Sequence, residues 1–247
     1  MRLQRASTGC WRKACCGAKA WAMILAVHAI PEADRLAAIH DRIGLLEWRD
    51  GRETAGSVAR EVKRNEQAAM EGPAGRALQD EISRILWENE VIRAAAQPRR
   101  LSHLLISRTG VGGGYGQHVD NALMGKGERR VRTDLSFTLF LTPPSEYDGG
   151  ELVIHTAGVT QTVKGETGLL VLYPSGSIHE VRPVTRGTRI VCVGWIESMI
   201  ADNAQREMLF DLENLRATLR PKLPSQSPEL LTLDKTIANL LRMWARP

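Results

Sequence analysis

Leu135-Ser136-Phe137-Thr138-Leu139-Phe140-Leu141 decides the fold class. Leu135, Phe137, Leu139 and Leu141 recur every second residue, which is the period of an extended strand. Phe140 puts an apolar side chain on the other face too, so the stretch predicts a strand buried on both sides. Towards the C-terminus, Asp148-Gly149-Gly150 signals a turn. Further short runs follow at Glu151–His155, Val159–Val163, Leu169–Tyr173 (stopped by Pro174), Ile178–Val184 and Arg189–Ile196. On the N-terminal side, Leu101–Ser107 is one more strand candidate. Several short strands separated by Gly and Pro predict a sandwich or small barrel.

Outside this block the period lengthens. Leu36, Ile39, Ile43 and Leu46 form a helical stripe after Pro31-Glu32, closed by Trp48-Arg49-Asp50-Gly51. Residues 51–58 read as loop, and Ala59–Met70 as part loop and part strand. Leu78, Ile82, Ile85 and Leu86 mark a second helix ending before Pro98. Met208, Leu212, Leu215 and Leu219 mark a third, and Leu230, Leu233, Ile237, Leu240, Leu241 and Trp244 a fourth. The division expected is a basic tail at 1–22, a mainly helical part at 23–98, a strand-rich core at 99–198 and a helical extension at 199–247. The fold class is α+β. The C-terminal helices are expected either to cover the core or to form a homodimer interface.

The chain of 247 residues has a formal net charge of +5. Arg2, Arg5, Arg12, Lys13 and Lys19 account for all of it, because residues 1–22 contain no acid. Removing those five leaves 28 basic residues against 28 acidic ones. The excess charge therefore belongs to the tail and gives no warrant for a nucleic-acid face. Cys10, Cys15 and Cys16 also lie in the tail; Cys192 alone lies in the body, which points to a reducing cytoplasm. The tail is read as disordered or as an upstream mis-start with Met23 as initiator, ahead of a basic targeting peptide. No apolar run approaches the ~20 residues of a membrane helix.

Chemistry concentrates in Tyr115-Gly116-Gln117-His118-Val119-Asp120-Asn121. In an extended segment, side chains at i and i+2 point the same way. One imidazole and one carboxylate can thus reach a single ion, and a further His would complete the two-His-one-carboxylate triad of non-haem Fe(II) sites. The glycines at 110 and 112–114 allow close approach to this pair. His179 lies 59 residues beyond Asp120 at the start of a late strand, and Arg189 ten residues further on the next one. An antiparallel neighbour at that offset would bring a guanidinium near the metal, where it could grip a carboxylate bidentately. 2-Oxoglutarate, with a chelating end and a distal carboxylate, has that form. Arg189 is expected to share the barrel interior with Val191, Val193 and Trp195, with Cys192 on the opposite face. Tyr115 and Asn121 are read evenly as site or packing residues, His155 as mainly structural, and Lys126–Arg132 as a solvated loop ahead of a lid.

Taken together, these blocks resemble the PKHD-type (prolyl 4-hydroxylase-like) bacterial Fe(II)/2-oxoglutarate-dependent hydroxylases. The matching stretches are Tyr115–Ala122, Arg132–Leu141, Tyr147–Leu152, Leu172–His179 with Val184–Arg189, and Ala204–Leu212, so that the similarity runs from about Met23 to the C-terminus. The resemblance implies a double-stranded β-helix (jelly roll). It implies Fe(II) on His118, Asp120 and His179, 2-oxoglutarate on Arg189, no catalytic residue beyond the iron ligands, and L-ascorbate as accessory reductant. The implied activity is hydroxylation of an unactivated C–H bond in a small-molecule or peptidyl substrate, with 2-oxoglutarate converted to succinate. One departure is Thr109, where relatives often carry Tyr; it supplies only a shorter hydroxyl. Two other classes compete with it: a non-catalytic cupin-like metal-binding or sensor module, for which Arg189 would have no use, and a zinc hydrolase, which would need a general base near the metal water.

Overall fold

The computed structural model describes residues 23–54, 57–125, 127 and 130–246. Expectations for the basic tail, and for Lys126, Glu128 and Arg129, fall outside it. In chain order the first elements are β1 (Leu25–His28), α1 (Ala33–Gly44), β2 (Trp48–Asp50), a 3-10 turn (Gly51–Thr54), α2 (Ser57–Val62), β3 (Lys63–Arg64), β4 (Glu66–Ala68), α3 (Pro73–Glu88) and α4 (Glu90–Ala96). The core holds β5 (Pro98–Leu101), β6 (Leu105–Thr109), β7 (Gly114–His118), β8 (Leu123–Met124), β9 (Val131–Arg132), β10 (Leu135–Phe140), β11 (Tyr147–Gly149) and β12 (Leu152–Thr156). It continues with β13 (Val159–Val163), β14 (Leu169–Pro174), β15 (Ile178–Val181), β16 (Val184–Gly187) and β17 (Arg189–Ser198). Two helices close the chain, α5 (Asn203–Leu219) and α6 (Pro228–Trp244).

The strands form a jelly roll. The larger sheet runs β1-β14-β10-β17-β6-β4-β2, with β5 also on β17, and the smaller runs β13-β12-β15-β7-β3. Every residue of β10 is buried, because this strand separates two apolar layers. Phe137 and Leu139 point outward into a core shared with Ile39 and Ile43 of α1, Leu78, Ile82 and Ile85 of α3, and Ile92 of α4. Phe140 points inward, packing with Leu152 and Ile154 of the smaller sheet. Truncating a side chain as large as Phe137 in such a layer costs about 3–5 kcal/mol.

Helix ends follow local chemistry. Pro73 stands in the first turn of α3, where its fixed φ suits the helix. The Asn89 side chain then accepts from Ile92 N, capping α4 and breaking what periodicity alone reads as one helix into two. Asp202 and Ser227 cap α5 and α6 in the same way. These last two helices pack on each other through Leu209, Leu233 and Ile237.

Three expectations need correction. The N-terminal part carries four strands besides its helices: β1 pairs with β14 (Leu25↔Leu172), β2 with β4 and β4 with β6 in the larger sheet, and β3 extends the smaller one. Trp48–Asp50 is thus a sheet edge and no helix end; a three-residue strand shows no period of its own and is held by its neighbours. The run Ile178–Val184 is split at Arg182-Pro183 into β15 and β16. Hence β17 is not the ladder neighbour of β15: β15 pairs with β12 and β7, and β17 with β10, β6 and β5 on the facing sheet. Finally, Val131 and Arg132 are tied into a small β8–β9 hairpin, with Arg132 bonded to Asp134.

Candidate metal centre and co-substrate pocket

The smaller sheet brings the His and Asp residues together. His118 ends β7 and is directly opposite His179 of β15 in the ladder. Asp120 follows two residues beyond His118. One ligand atom each from His118, Asp120 and His179 lies within 4.8 Å of the others, a grouping able to hold a metal ion. The His118 and His179 Nε2 atoms are 3.9 and 3.6 Å from the Asp120 carboxylate oxygens, and the three side chains are at most 10% exposed.

The orientation of both rings is fixed by backbone. His118 Nδ1 lies 2.8 Å from the Gly116 carbonyl, and His179 Nδ1 lies 3.0 Å from the Ser177 carbonyl. A carbonyl can only accept, so each Nδ1 carries the proton and each Nε2 presents a lone pair to the centre. Burial, followed by the nearby His179, pushes His118 down to about 4, which keeps its ring neutral at physiological pH. Ser136 donates to Asp120 Oδ2 at 2.6 Å and is itself 2.7 Å from Ser175 Oγ. The Tyr115 ring stacks on His118 with centroids 3.6 Å apart, and Lys63 Nζ lies 5.3 Å from the other partner of that stack, the Tyr115 centroid. Lys63 is buried in the same cavity, and desolvation lowers it to about 8 despite the opposing charge of Asp120.

Arg189 lines the cavity from the facing sheet. Val191, Val193 and Trp195 line it as well, while Cys192 is buried in the outer core. Arg189 is 2% exposed, opposes Thr109 across the β6–β17 ladder and stands 5.4 Å over the Phe140 ring. Its Nε and Nη2 are buried without a hydrogen-bond partner, as is Tyr147 Oη. Burial lowers the guanidinium from its ordinary value. A buried cation whose donors are unused is costly unless a ligand completes it.

Comparison with known proteins agrees with this geometry. Residues 104–197 match the model of the 2OG-Fe(II) oxygenase superfamily, and residues 203–246 match the PKHD-type hydroxylase C-terminal domain. A PKHD-type hydroxylase of Hyphomonas neptunium is 48% identical over 222 residues, 90% of this chain and 99% of that one. The chain belongs to the PKHD-type hydroxylases. A second such relative, from Synechococcus elongatus, is 46% identical over 90% of this chain and all of its own length. Among solved structures, a 2OG-Fe(II) oxygenase family oxidoreductase from Burkholderia pseudomallei shares the fold with a TM-score of 0.55 at 18% identity, over 75% of this chain and 88% of that one. The PKHD-type hydroxylase described here is therefore a 2-oxoglutarate- and Fe(II)-dependent enzyme. Among the described residues, no helix is long and apolar enough to cross a membrane.

Sequence reasoning picked out His118, Asp120, His179 and Arg189, and the structure brings all four to one cavity. Tyr115 and Asn121 line it too, whereas His155 bonds Thr160 on the neighbouring strand. It missed Ser136 and Lys63. Ser136 had a readable signal, since it lies on the inward face of the decisive strand; Lys63 had none.

Proposed function

We propose that His118, Asp120 and His179 hold Fe(II) and that Arg189 holds the distal carboxylate of 2-oxoglutarate, for hydroxylation of a C–H bond in a small-molecule or peptidyl substrate. One observation carries this reading: two lone-pair-presenting imidazoles and a carboxylate share a cavity with a buried guanidinium whose Nε and Nη2 are unsatisfied. The donor set suits a divalent iron, with neutral nitrogen ligands and one anion. When bound, iron, dioxygen and 2-oxoglutarate supply the oxidising chemistry that yields hydroxylated product, succinate and carbon dioxide. The chain's own part is positional. The Gly116 and Ser177 carbonyls fix the imidazole tautomers, Ser136 orients the Asp120 carboxylate, and Arg189 sets the depth of the co-substrate. The apolar side chains of Val191, Val193 and Leu152 exclude water around it.

In this reading the core at 99–198 carries the reaction, framed by the parts at 23–98 and 199–247. L-Ascorbate serves as reductant keeping the metal ferrous, measured as sustained turnover on its addition. Met208, Leu215, Leu231 and Met243 are exposed on α5 and α6, which supports a homodimer through these helices and is tested by sedimentation. The buried lone body thiol, Cys192, supports a cytoplasmic setting.

The direct experiment is anaerobic titration of the Fe(II)-loaded protein with 2-oxoglutarate. Chelation produces a visible charge-transfer band. Metal-loaded protein without that band would favour the non-catalytic metal-binding module instead.

A further inference from the structure

The metal and the co-substrate leave one cation of the cavity over. Histidines aside, the charged side chains that line it are Lys63, Asp120 and Arg189. Asp120 belongs to the proposed iron site and Arg189 to 2-oxoglutarate. Lys63 comes from β3, is 5% exposed and opposes Tyr115 of β7 in the ladder. Its Nζ stands 5.3 Å from the Tyr115 centroid, and that ring stacks on His118. One aromatic ring therefore separates the ammonium from an imidazole of the metal centre. Lys63 also borders a surface cleft formed with Trp48, Arg108 and the glycines at 110, 112 and 113. A group held at Lys63 can thus be continuous with a larger body lying in that cleft.

Charge balance singles this residue out. A ferrous ion, the Asp120 carboxylate, the Arg189 guanidinium and doubly ionised 2-oxoglutarate together carry no net charge. The Lys63 ammonium is then a surplus positive charge in an enclosed site, which is costly until an anion meets it. Among the described residues, the acids whose fields reach Lys63 are Asp120, which the metal uses, and Asp50, whose carboxylate bonds Arg52. The spare hydrogen-bonding atoms of the lining agree. Besides Arg189 Nε and Nη2, Trp195 Nε1 is buried without a partner, and all three are donors. Asn65 Oδ1, an acceptor, also lacks a partner, but it is turned to Gly51, which is not part of the lining and where a Cβ would lie 2.0 Å from it. The cavity offers donors and a positive charge, and one surplus charge matches a single carboxylate better than a phosphate dianion.

We propose that Lys63 binds the substrate through a carboxylate that the substrate carries close to the C–H bond to be hydroxylated, so that this hydroxylase acts on acids. The proposal rests on the reading of the metal and the co-substrate given above. Lys63 is then the residue that selects an acidic substrate over its neutral analogue, separately from Arg189, which selects the co-substrate.

The test uses the full-length Fe(II)-loaded protein without oxygen, with 2-oxoglutarate saturating. Probes come in pairs alike in shape and different in charge: cyclopentanecarboxylate and its primary amide, benzoate and benzamide, hexanoate and hexanamide. Binding is read as heat, while the charge-transfer band shows that 2-oxoglutarate stays in place. Wild type should bind at least one acid about 10- to 100-fold more tightly than its amide, the range for a hydrogen bond to a charged group. Lys63→Met should lose that preference and Lys63→Arg keep it, with 2-oxoglutarate affinity unchanged in both. The proposal is overturned if no pair shows a preference for the acid, if the preference survives Lys63→Met, or if acids bind only by displacing 2-oxoglutarate. Equal loss of acid and amide in Lys63→Met would show a merely structural role and overturn it too. Should Lys63→Met not fold, Lys63→Gln gives the same readings. Wild type that forms no charge-transfer band fails at the earlier step: the metal and co-substrate reading falls, and the role of Lys63 with it.

Discussion

The two ends of the cavity are finished differently. At the end built by the smaller sheet, the orienting bonds are already made: Gly116 and Ser177 hold the imidazoles, and Ser136 holds the carboxylate. At the end built by the larger sheet, Arg189 stands over the Phe140 ring while its Nε and Nη2 are buried with no hydrogen-bond partner. The difference supports the partner proposed for each end. A metal centre needs its ligands aimed before the ion arrives, since a 1 Å error weakens every bond. A carboxylate brings its own oxygens, so its pocket is completed by the ligand and is a weak point of the fold until then.

Removing a metal-end ligand should give the largest effect. Asp120→Ala takes away the site's one anion and should weaken Fe(II) binding by more than about 100-fold, beyond what losing an orienting partner costs. Retained iron at full occupancy, by metal analysis after gel filtration, would break the assignment. At the other end, Arg189→Met should weaken 2-oxoglutarate by about 100-fold, a loss typical of a truncated buried charge pair. Yet the metal-free variant should be more stable than wild type by about 1–3 kcal/mol in urea, because an unanswered buried cation is gone. Lower stability would show that protein groups already satisfy Arg189, and the contrast between the ends would vanish.

Smaller effects sharpen the same contrast. Ser136→Ala should cost about 10-fold in Fe(II) affinity while leaving 2-oxoglutarate affinity of the loaded protein unchanged. The least conspicuous change is at Lys63, whose folded-state value of about 8 lies below its ordinary 10.5 through burial. Below pH 8 both folded and unfolded chains hold this proton, and the full penalty applies. Between about pH 8 and 10.5 the unfolded chain binds more protons, so stability rises with pH through this window. Lys63→Met should abolish that rise, read as the wild-type-minus-variant difference in unfolding free energy from pH 7 to 10. An unchanged pH profile would place the Lys63 ammonium in water, outside the cavity.

Much of this was legible beforehand. The i, i+2 spacing of His118 and Asp120 fixes their common direction wherever the strand is placed, and the alternation from Arg189 to Trp195 fixes which face turns inward. The strands β1 to β4 were hard to see because runs of two to four residues show no period; they exist by pairing with strands far along the chain, as Leu25 does with Leu172. The position of Arg189 was inferred for a reason the fold does not supply. The expected ladder between the His179 and Arg189 strands is absent, since the Arg182-Pro183 break inserts β16 and sends Arg189 to the opposite sheet.

By itself, the sequence determined the local matters: which of the longer periodic segments are strand or helix, where glycine permits a turn, which residue types could bind a metal, and which side chains share a face. These depend on backbone sterics and on the period of burial, both confined to neighbouring residues. Tertiary structure alone decided that His118 opposes His179 across a ladder, that Ser136 reaches Asp120, and that Tyr147 comes to rest beside Arg189. Those meetings depend on how two sheets bury their apolar faces against each other, a balance summed over the whole chain and written in no single stretch of it.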